Sequence, residues 1–190
     1  MASEMAILRI LLFMGAVLAV GGGRLRADVS QCACDWSKPE TLKERNCSLS
    51  LEAMKQPENV EFFILKDINP RKPGRWLALP RKPGVGSHDL YHLPKEERTK
   101  LWKFAMAEAE KLFPGRAWGL AYNGNKVRTQ CHLHIHIGKW VPAAHTSKFR
   151  LVRRVEDLPA PEEGGVLLYP VANGFMVLTG EQIMETALVR

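Results

Sequence analysis

The sequence predicts an α+β fold, with a mostly antiparallel sheet, one main helix packed on it and a short β-rich C-terminal extension. Short apolar segments alternate with Gly- and Pro-rich turns, one long segment has helical periodicity, and one segment alternates strictly between two kinds of residue. The 190 residues are 46% hydrophobic and 25% charged, which is enough for one domain with a sizeable core.

Two strands are predicted before the helix. "VEFFILKDI" (60–68) and "RWLALP" (75–80) are rich in branched and aromatic residues, and "NPRKPG" between them is typical of a turn. We therefore expect an antiparallel hairpin. A loop rich in Gly, Pro and Ser follows it.

The strongest helix signal covers residues 94–113. Leu101, Ala105, Ala109 and Leu112 repeat at helical spacing, and Pro94 suits the first turn. "PGR" ends the helix, and "AWGLAYN" (117–123) and "CHLHIHI" (131–137) are predicted as strands on either side of a loop. After residue 140, "KFRLVRR", "GGVLLYPV" and "GFMVLTG" are strand-like, with a hairpin turn at "VANG"; "GEQIMETALVR" fits either a helix or a strand.

The first 27 residues are expected to lie outside the fold. An arginine, an apolar run from Ile10 to Val20 and "RLRA" before Asp28 are typical of a secretory signal peptide, with a short membrane anchor as the alternative. The sequence thus predicts an exported protein, periplasmic or extracellular, that stays anchored only if the leader is retained. The remaining chain divides into a cysteine-bearing lead-in (28–59), a core (60–140) and an extension without an assigned role (141–190).

The four cysteines are Cys32, Cys34, Cys47 and Cys131. Export favours disulfides, and four cysteines allow three pairings that the sequence does not resolve. A bond between Cys34 and Cys47 is the simplest to imagine, and Cys131 is expected to be a buried thiol. A zinc site made from Cys32, Cys34 and Cys47 is the weaker alternative.

The row of His132, His134 and His136 is the main functional signal. These are half of the six histidines, and alternation with Leu133, Ile135 and Ile137 puts them on one face of a strand. Imidazoles with a pKa near neutrality suit nucleophilic or acid–base chemistry on an extended polar substrate. A metal site and a solvated face without a role are the alternatives. The net charge of +7 favours anionic ligands such as phosphates, nucleotides or an anionic membrane surface.

Two blocks in the right order, the "KDINP…PG" hairpin and the H-x-H-x-H strand, resemble the histidine-triad (HIT) superfamily. The resemblance implies a nucleotide-binding fold and a hydrolase that cleaves nucleoside 5′-phosphoanhydrides or phosphoramidates, without a metal or other cofactor. His134 would attack the α-phosphorus and form a nucleotidyl-histidine, and His132 and His136 would orient and polarise the site. Asn123 would position the phosphate, and Asp67 would contact the ribose hydroxyls.

Arg128, Thr129 and Gln130 lie just before the row, in a loop that could wrap the phosphates. Arg128 could make a forked contact to the phosphate oxygens. The chain departs from the family at Arg75, where many members have a histidine, and in a shorter loop before the row. "RTQCHLHIHI" is similar to an exported branch typified by CDP-diacylglycerol pyrophosphatases, which makes a lipid-linked nucleotide an alternative substrate.

A different class of function, a non-catalytic module that binds a nucleotide or a metal, fits the same row. The expected partner is a nucleotide and not a nucleic acid, while membrane association through the N-terminal segment and a homodimer are left open. The base, the leaving group and the disulfide pairing are not determined by the sequence.

Overall fold

A computed structural model describes residues 32–82 and 88–189. The predicted leader, residues 1–27, lies outside the described residues, as does the centre of the loop after the first hairpin. Within the described ranges, no helix has the length and apolarity needed to cross a bilayer.

In the described part of the chain, seven antiparallel strands form one sheet in the order β1-β2-β4-β3-β6-β7-β5. All seven were expected from the sequence, with bounds that differ by a few residues. They are β1 (Phe62–Lys66), β2 (Trp76–Pro80), β3 (Trp118–Tyr122), β4 (Ile135–Lys139), β5 (Arg150–Val152), β6 (Val166–Val171) and β7 (Gly174–Thr179). The α+β prediction is confirmed, and the strands of the extension join the same sheet through the β3–β6 pair.

One long helix, α2 (Lys95–Leu112), packs on one face of this sheet. Its apolar stripe buries Leu101, Trp102, Ala105 and Ala109, as the helical spacing predicts. Against it lie Leu133, Ile135 and Ile137, the apolar partners of the histidine row. Burial of these side chains, at about 25 cal/mol per Å² of apolar surface, is the main source of stability on this side.

The opposite face carries two apolar clusters with the histidine row between them. One contains Ala121, Trp140, Leu167 and Leu188 and lies under the C-terminal segment. The other contains Ala53, Phe63, Leu77 and Leu79. The register aligns His136 with Leu77 on one side and Ala121 on the other, so the row lies on the face that α2 leaves uncovered.

The strand of the row is shorter than predicted. We expected residues 131–137, but β4 begins at Ile135, because residues 131–134 have no ladder partner. Instead, the backbone N–H of Cys131 donates to the carbonyl of Asn46, at 2.8 Å. The alternation of sides nevertheless persists, since Leu133 is buried with Ile135 in the helix-side core.

The lead-in is folded and cross-linked. It contains α1 (Ser48–Met54), which the sequence did not predict, and two disulfides join Cys34 to Cys47 and Cys32 to Cys131. The expectation of a free buried thiol at Cys131 was therefore wrong, because the bond to Asn46 brings this residue onto the lead-in. Two disulfides fit a protein that folds in an oxidising compartment.

The C-terminal segment crosses the end of β3 and β4. It forms a 3-10 turn at Glu185–Ala187, neither the regular helix nor the strand considered from sequence, and Leu188 bridges to Trp140. The segment packs on two paired glycines, Gly119 and Gly138. A Cβ added at these positions would lie 2.8 Å and 3.1 Å from atoms of Leu188. The absence of side chains there lets the segment approach the histidine row.

Candidate functional site

The three histidines form a buried row. His132, His134 and His136 are only 0%, 5% and 7% exposed, although all of them lie on the face opposite α2. The rings of His134 and His136 meet edge to face, with their centres 4.9 Å apart. Buried polar rings need hydrogen-bond partners, and those partners fix how each ring can act.

His132 is held at both ring nitrogens. Its Nε2 lies 2.7 Å from the carbonyl of Pro80, and its Nδ1 lies 3.5 Å from the Ser50 hydroxyl. Trp36 stacks on the ring at 6.1 Å. Burial is the main cause that lowers the pKa of His132 to about 4. This neutral ring packs between the sheet and the lead-in and is held in one orientation by contacts on both sides. Such a fixed ring suits the role of orienting the neighbouring His134.

His134 has one occupied nitrogen. Its Nδ1 donates to the backbone carbonyl of His132, at 2.8 Å, since a carbonyl can only accept. The proton is therefore on Nδ1, and the lone pair of Nε2 is available. Burial, and next the neighbouring His136, lower the pKa of His134 well below its usual value, so the ring is neutral at physiological pH. A neutral imidazole with a free Nε2 is a competent nucleophile.

Asn123 fixes His136. The side-chain oxygen of Asn123 accepts from the backbone N–H groups of Met184 and Glu185, at 2.8 Å and 3.1 Å. Its amide nitrogen therefore faces His136 Nε2, at 3.4 Å. Burial first, and then the charges of Lys72 and Arg75, lower the pKa of His136 to about 3. The structure thus places the predicted Asn123 on the third histidine of the row.

A partly buried charge cluster lies beyond His136. The Glu185 carboxylate accepts from Lys72, at 2.6 Å, and from Arg75, at 2.7 Å, and lies 3.4 Å from His136 Nδ1. The Arg75 guanidinium also donates to the carbonyls of Glu185 and Leu188. A cavity of about 180 Å³ opens here and is lined by Arg71, Lys72, Arg75, Glu185 and Thr186.

Sequence reasoning missed Glu185, because it is 110 residues from Arg75 in a segment without a recognisable motif. It also missed Trp36 and Ser50, which contact the row from the lead-in. Arg75 stood out only as a departure from the family, and its buried bonds to the C-terminal segment now explain what an arginine does there.

Asp67 lies on the same face as the row but away from it. Its backbone N–H donates to the carbonyl of Arg75. Because Trp76 pairs with Ile137, Arg75 lies beside Gly138 on β4. At about 4.8 Å per strand, Asp67 is two strands from β4, beyond the His136 end of the row. Its neighbour Ile68 is 95% exposed, so an apolar side chain adjoins the carboxylate.

Arg128, Thr129 and Gln130, which shortly precede the row, lie in different surroundings. Arg128 is buried, with its guanidinium over the ring of Tyr122 at 5.1 Å, and its charge helps lower the pKa of His134. Thr129 is exposed. Gln130 turns to the lead-in, where its amide bonds to Ser48, Leu49 and Arg45. Only Arg128 of the three is brought close to the row.

The cysteine cluster offers no thiolate for a metal. The sulfurs of Cys34, Cys47 and Cys131 lie within 4.8 Å of one another, but each belongs to a disulfide. The zinc alternative considered from sequence therefore has no ligands in the oxidised chain.

A larger cavity of about 500 Å³ lies at the other side of β2, next to the start of α2. Its lining includes Phe62, Pro80, Arg81 and Lys100 but none of the three histidines. One of its lining residues is Pro80, whose carbonyl accepts from His132. The row is the better candidate site, because the imidazoles, Asn123 and the Glu185 carboxylate converge there.

No protein-family model matches the chain, and the curated proteins contain no match to it either.

Proposed function

We propose that the protein is an exported nucleotide hydrolase of the histidine-triad type, which cleaves a nucleoside 5′-phosphoanhydride or phosphoramidate and releases the nucleoside monophosphate. The observation that carries the proposal is the bond from His134 Nδ1 to the His132 carbonyl, which leaves Nε2 of a neutral ring as the free nucleophile. The two disulfides support export.

In the proposed reaction, His134 Nε2 attacks the α-phosphorus while the bond to the leaving group breaks. The leaving group keeps the bonding electron pair; a phosphate departs as its anion, whereas an amine takes a proton from solvent. Water then attacks the same phosphorus and loses a proton to solvent, while the N–P bond breaks and Nε2 keeps its electron pair, so that the ring is neutral again. During the intermediate, the ring is cationic, and the His132 carbonyl stabilises it through the Nδ1–H bond.

Other residues supply binding and charge. The paired Asn123 amide and His136 ring would provide polar groups beside the reacting phosphorus. Arg128, whose charge acts on His134, would offset the negative charge that develops there. Asp67 and the exposed Ile68 offer a carboxylate for ribose hydroxyls and an apolar surface for a base. A CDP-diacylglycerol-type substrate remains the alternative within this chemistry, and a non-catalytic nucleotide- or metal-binding module is the alternative outside it.

The test is a panel of nucleoside diphosphate derivatives, nucleoside phosphoramidates and CDP-diacylglycerol in detergent, scored for released monophosphate. Reactions run with excess chelator, and acid-quenched samples are digested and analysed by mass spectrometry for a nucleotidyl group on His134. His145→Ala is the matched control, because His145 is exposed and bonds to Tyr169 away from the row. No monophosphate from any substrate, or a chelator-sensitive activity without the adduct, would contradict the proposal.

A further inference from the structure

The guanidinium of Arg128 is buried without enough partners. The residue is 1% exposed, and its Nε and Nη1 have no hydrogen-bond partner among the residues that the structure describes. Only Nη2 donates, to the side-chain oxygen of Asn125 at 3.0 Å. The charge of Asp89 and the ring of Tyr122 help to stabilise this cation. Neither of them pairs with Nε or Nη1, and a buried guanidinium with two unused donors is unfavourable unless a further acceptor reaches it.

A second polar atom of the same cluster also lacks a partner. His88 Nδ1 is buried and bonds to none of the described residues. The residues after it dock on the groups that hold Arg128: Leu90 N–H donates to the Tyr122 hydroxyl at 3.2 Å, and Asp89 lies 3.5 Å from the Asn125 amide. Burial, and next the charge of Arg128, lower the pKa of His88, so its ring is neutral. With its single proton on Nδ1, this ring would donate one N–H to an anion bound beside Arg128.

This pair lies at the opposite end of the row from Asp67. Arg128 precedes His132 by four residues, and its charge acts on His132 and His134. Asp67 instead pairs with Arg75, which lies next to Gly138, beyond the His136 end of the row. If the nucleoside binds at Asp67 and the α-phosphorus at His134, the leaving group extends towards Arg128. In that binding mode, the unused donors of Arg128 and the unpartnered nitrogen of His88 are on the side from which the leaving group departs.

We propose that Arg128 and His88 form a subsite for a second phosphoryl group, so that the substrate is a nucleoside 5′-diphosphate derivative. This deepens the proposed function and rests on it. The anhydride P–O bond breaks as the N–P bond forms, and the leaving phosphate monoester keeps the electron pair. Its second pKa is about 6, so it departs at neutral pH without a proton, and Arg128 offsets the growing charge. An amine leaving from a phosphoramidate would need a proton and no such subsite.

The test compares two substrates with the same base. One is a nucleoside 5′-diphosphate carrying a methyl ester on its β-phosphate, and the other is the nucleoside 5′-(p-nitrophenyl) phosphate, whose leaving group has no phosphate. We expect Arg128→Gln and His88→Gln to lower the ratio of kcat/KM for the diphosphate to that for the aryl ester at least about tenfold, as for one lost charge-assisted hydrogen bond.

Lys126→Gln is the matched control, because Lys126 is an exposed cation two residues from Arg128 that pairs with Glu163. The ratio should not change in it. An unchanged ratio in folded Arg128→Gln overturns the subsite, and His88→Gln decides in the same way should the arginine variant not fold. A wild-type protein inactive on both substrates would instead be a failure of the proposed function, which the ratio experiment separates from a failure of the subsite.

Discussion

The bond between His134 Nδ1 and the His132 carbonyl determines which nitrogen of the central ring can react. A strand with free histidines would let each ring exchange tautomers, whereas here a backbone acceptor holds the proton on one side. Because burial keeps the ring neutral, no base is needed to activate it. At the scale of single residues, the reactivity that we propose for His134 therefore depends on the backbone as much as on the imidazole.

We expect His134→Ala to lower kcat/KM by at least about a hundredfold, since loss of a nucleophile usually costs several powers of ten. The substitution removes a 5%-exposed ring that contributes little to the helix-side core, so the protein should stay folded by circular dichroism. Steady-state hydrolysis of the best panel substrate measures the effect. Retention of more than about a hundredth of the wild-type rate would remove His134 from the nucleophile's role.

The same burial predicts a loss of stability in acid. The folded pKa values of His132 and His136, about 4 and about 3, lie below the unfolded value near 6.5. Above pH 6.5 neither state binds these protons, and the full stability is present. As the pH falls from 6.5 towards 4, only the unfolded chain takes them up, and each ring lowers the free energy of unfolding by up to about 1.4 kcal/mol per pH unit.

Urea unfolding at pH 7 and pH 5 measures this slope. In His136→Gln, the free energy of unfolding should fall by about 1 kcal/mol less per pH unit than in the wild type, because one of the contributing rings is absent. Equal slopes in the two proteins would mean that His136 does not have its low pKa in the folded state.

At the scale of elements, the C-terminal segment belongs to the site because two strands carry glycine at paired positions. Gly119 and Gly138 let Leu188 pack on the sheet, and this packing brings Glu185 to His136 and Arg75. A side chain at either position would hold the segment away from the row.

Gly138→Ala should lower the free energy of unfolding by about 1–2 kcal/mol, because its new Cβ would lie 3.1 Å from Leu188 Cβ, an atom that cannot turn away without the backbone. Activity should fall with it as Glu185 shifts. Gly74→Ala is the matched control, since nothing lies within 4 Å of its added Cβ. Urea unfolding of the two variants would contradict this explanation if Gly74→Ala cost as much as Gly138→Ala.

Most elements could be predicted from the sequence because their signals are local. The stripe of Leu101, Ala105 and Ala109 defined α2, and alternation placed the three histidines on one face. The start of β4 was misjudged because a ladder needs a partner, and alternation alone does not supply one. Glu185 was missed for the same reason: only the folded sheet brings it next to Arg75.

At the scale of the whole molecule, both the lead-in and the C-terminal segment cover the histidine face. Trp36 and Ser50 contact His132 from one side, while Glu185 contacts the cluster at His136 from the other. The core strands alone would leave this row in water, where its pKa values would be ordinary. The disulfide between Cys32 and Cys131 fastens the lead-in next to His132.

Removing this disulfide should cost more stability than removing the other. The bond joins residues 99 apart, against 13 for Cys34–Cys47, and the loop-entropy model gives a difference of about 2 kcal/mol. The double variants Cys32→Ser/Cys131→Ser and Cys34→Ser/Cys47→Ser serve as controls for each other in urea unfolding. The first should also lose more activity, since it frees the lead-in from His132. An equal or reversed order in stability would show that packing, not loop closure, decides.

The two disulfides lie close enough together for their sulfurs to exchange partners while the chain is being oxidised. The sulfurs of Cys34, Cys47 and Cys131 lie within 4.8 Å of one another, so a thiolate released from one bond has the next bond within reach. In a folded chain that has lost one of the two bonds, exchange between these neighbouring sulfurs would therefore redistribute the remaining bond. We expect the final pairing to be set by the native packing, whichever bond forms first.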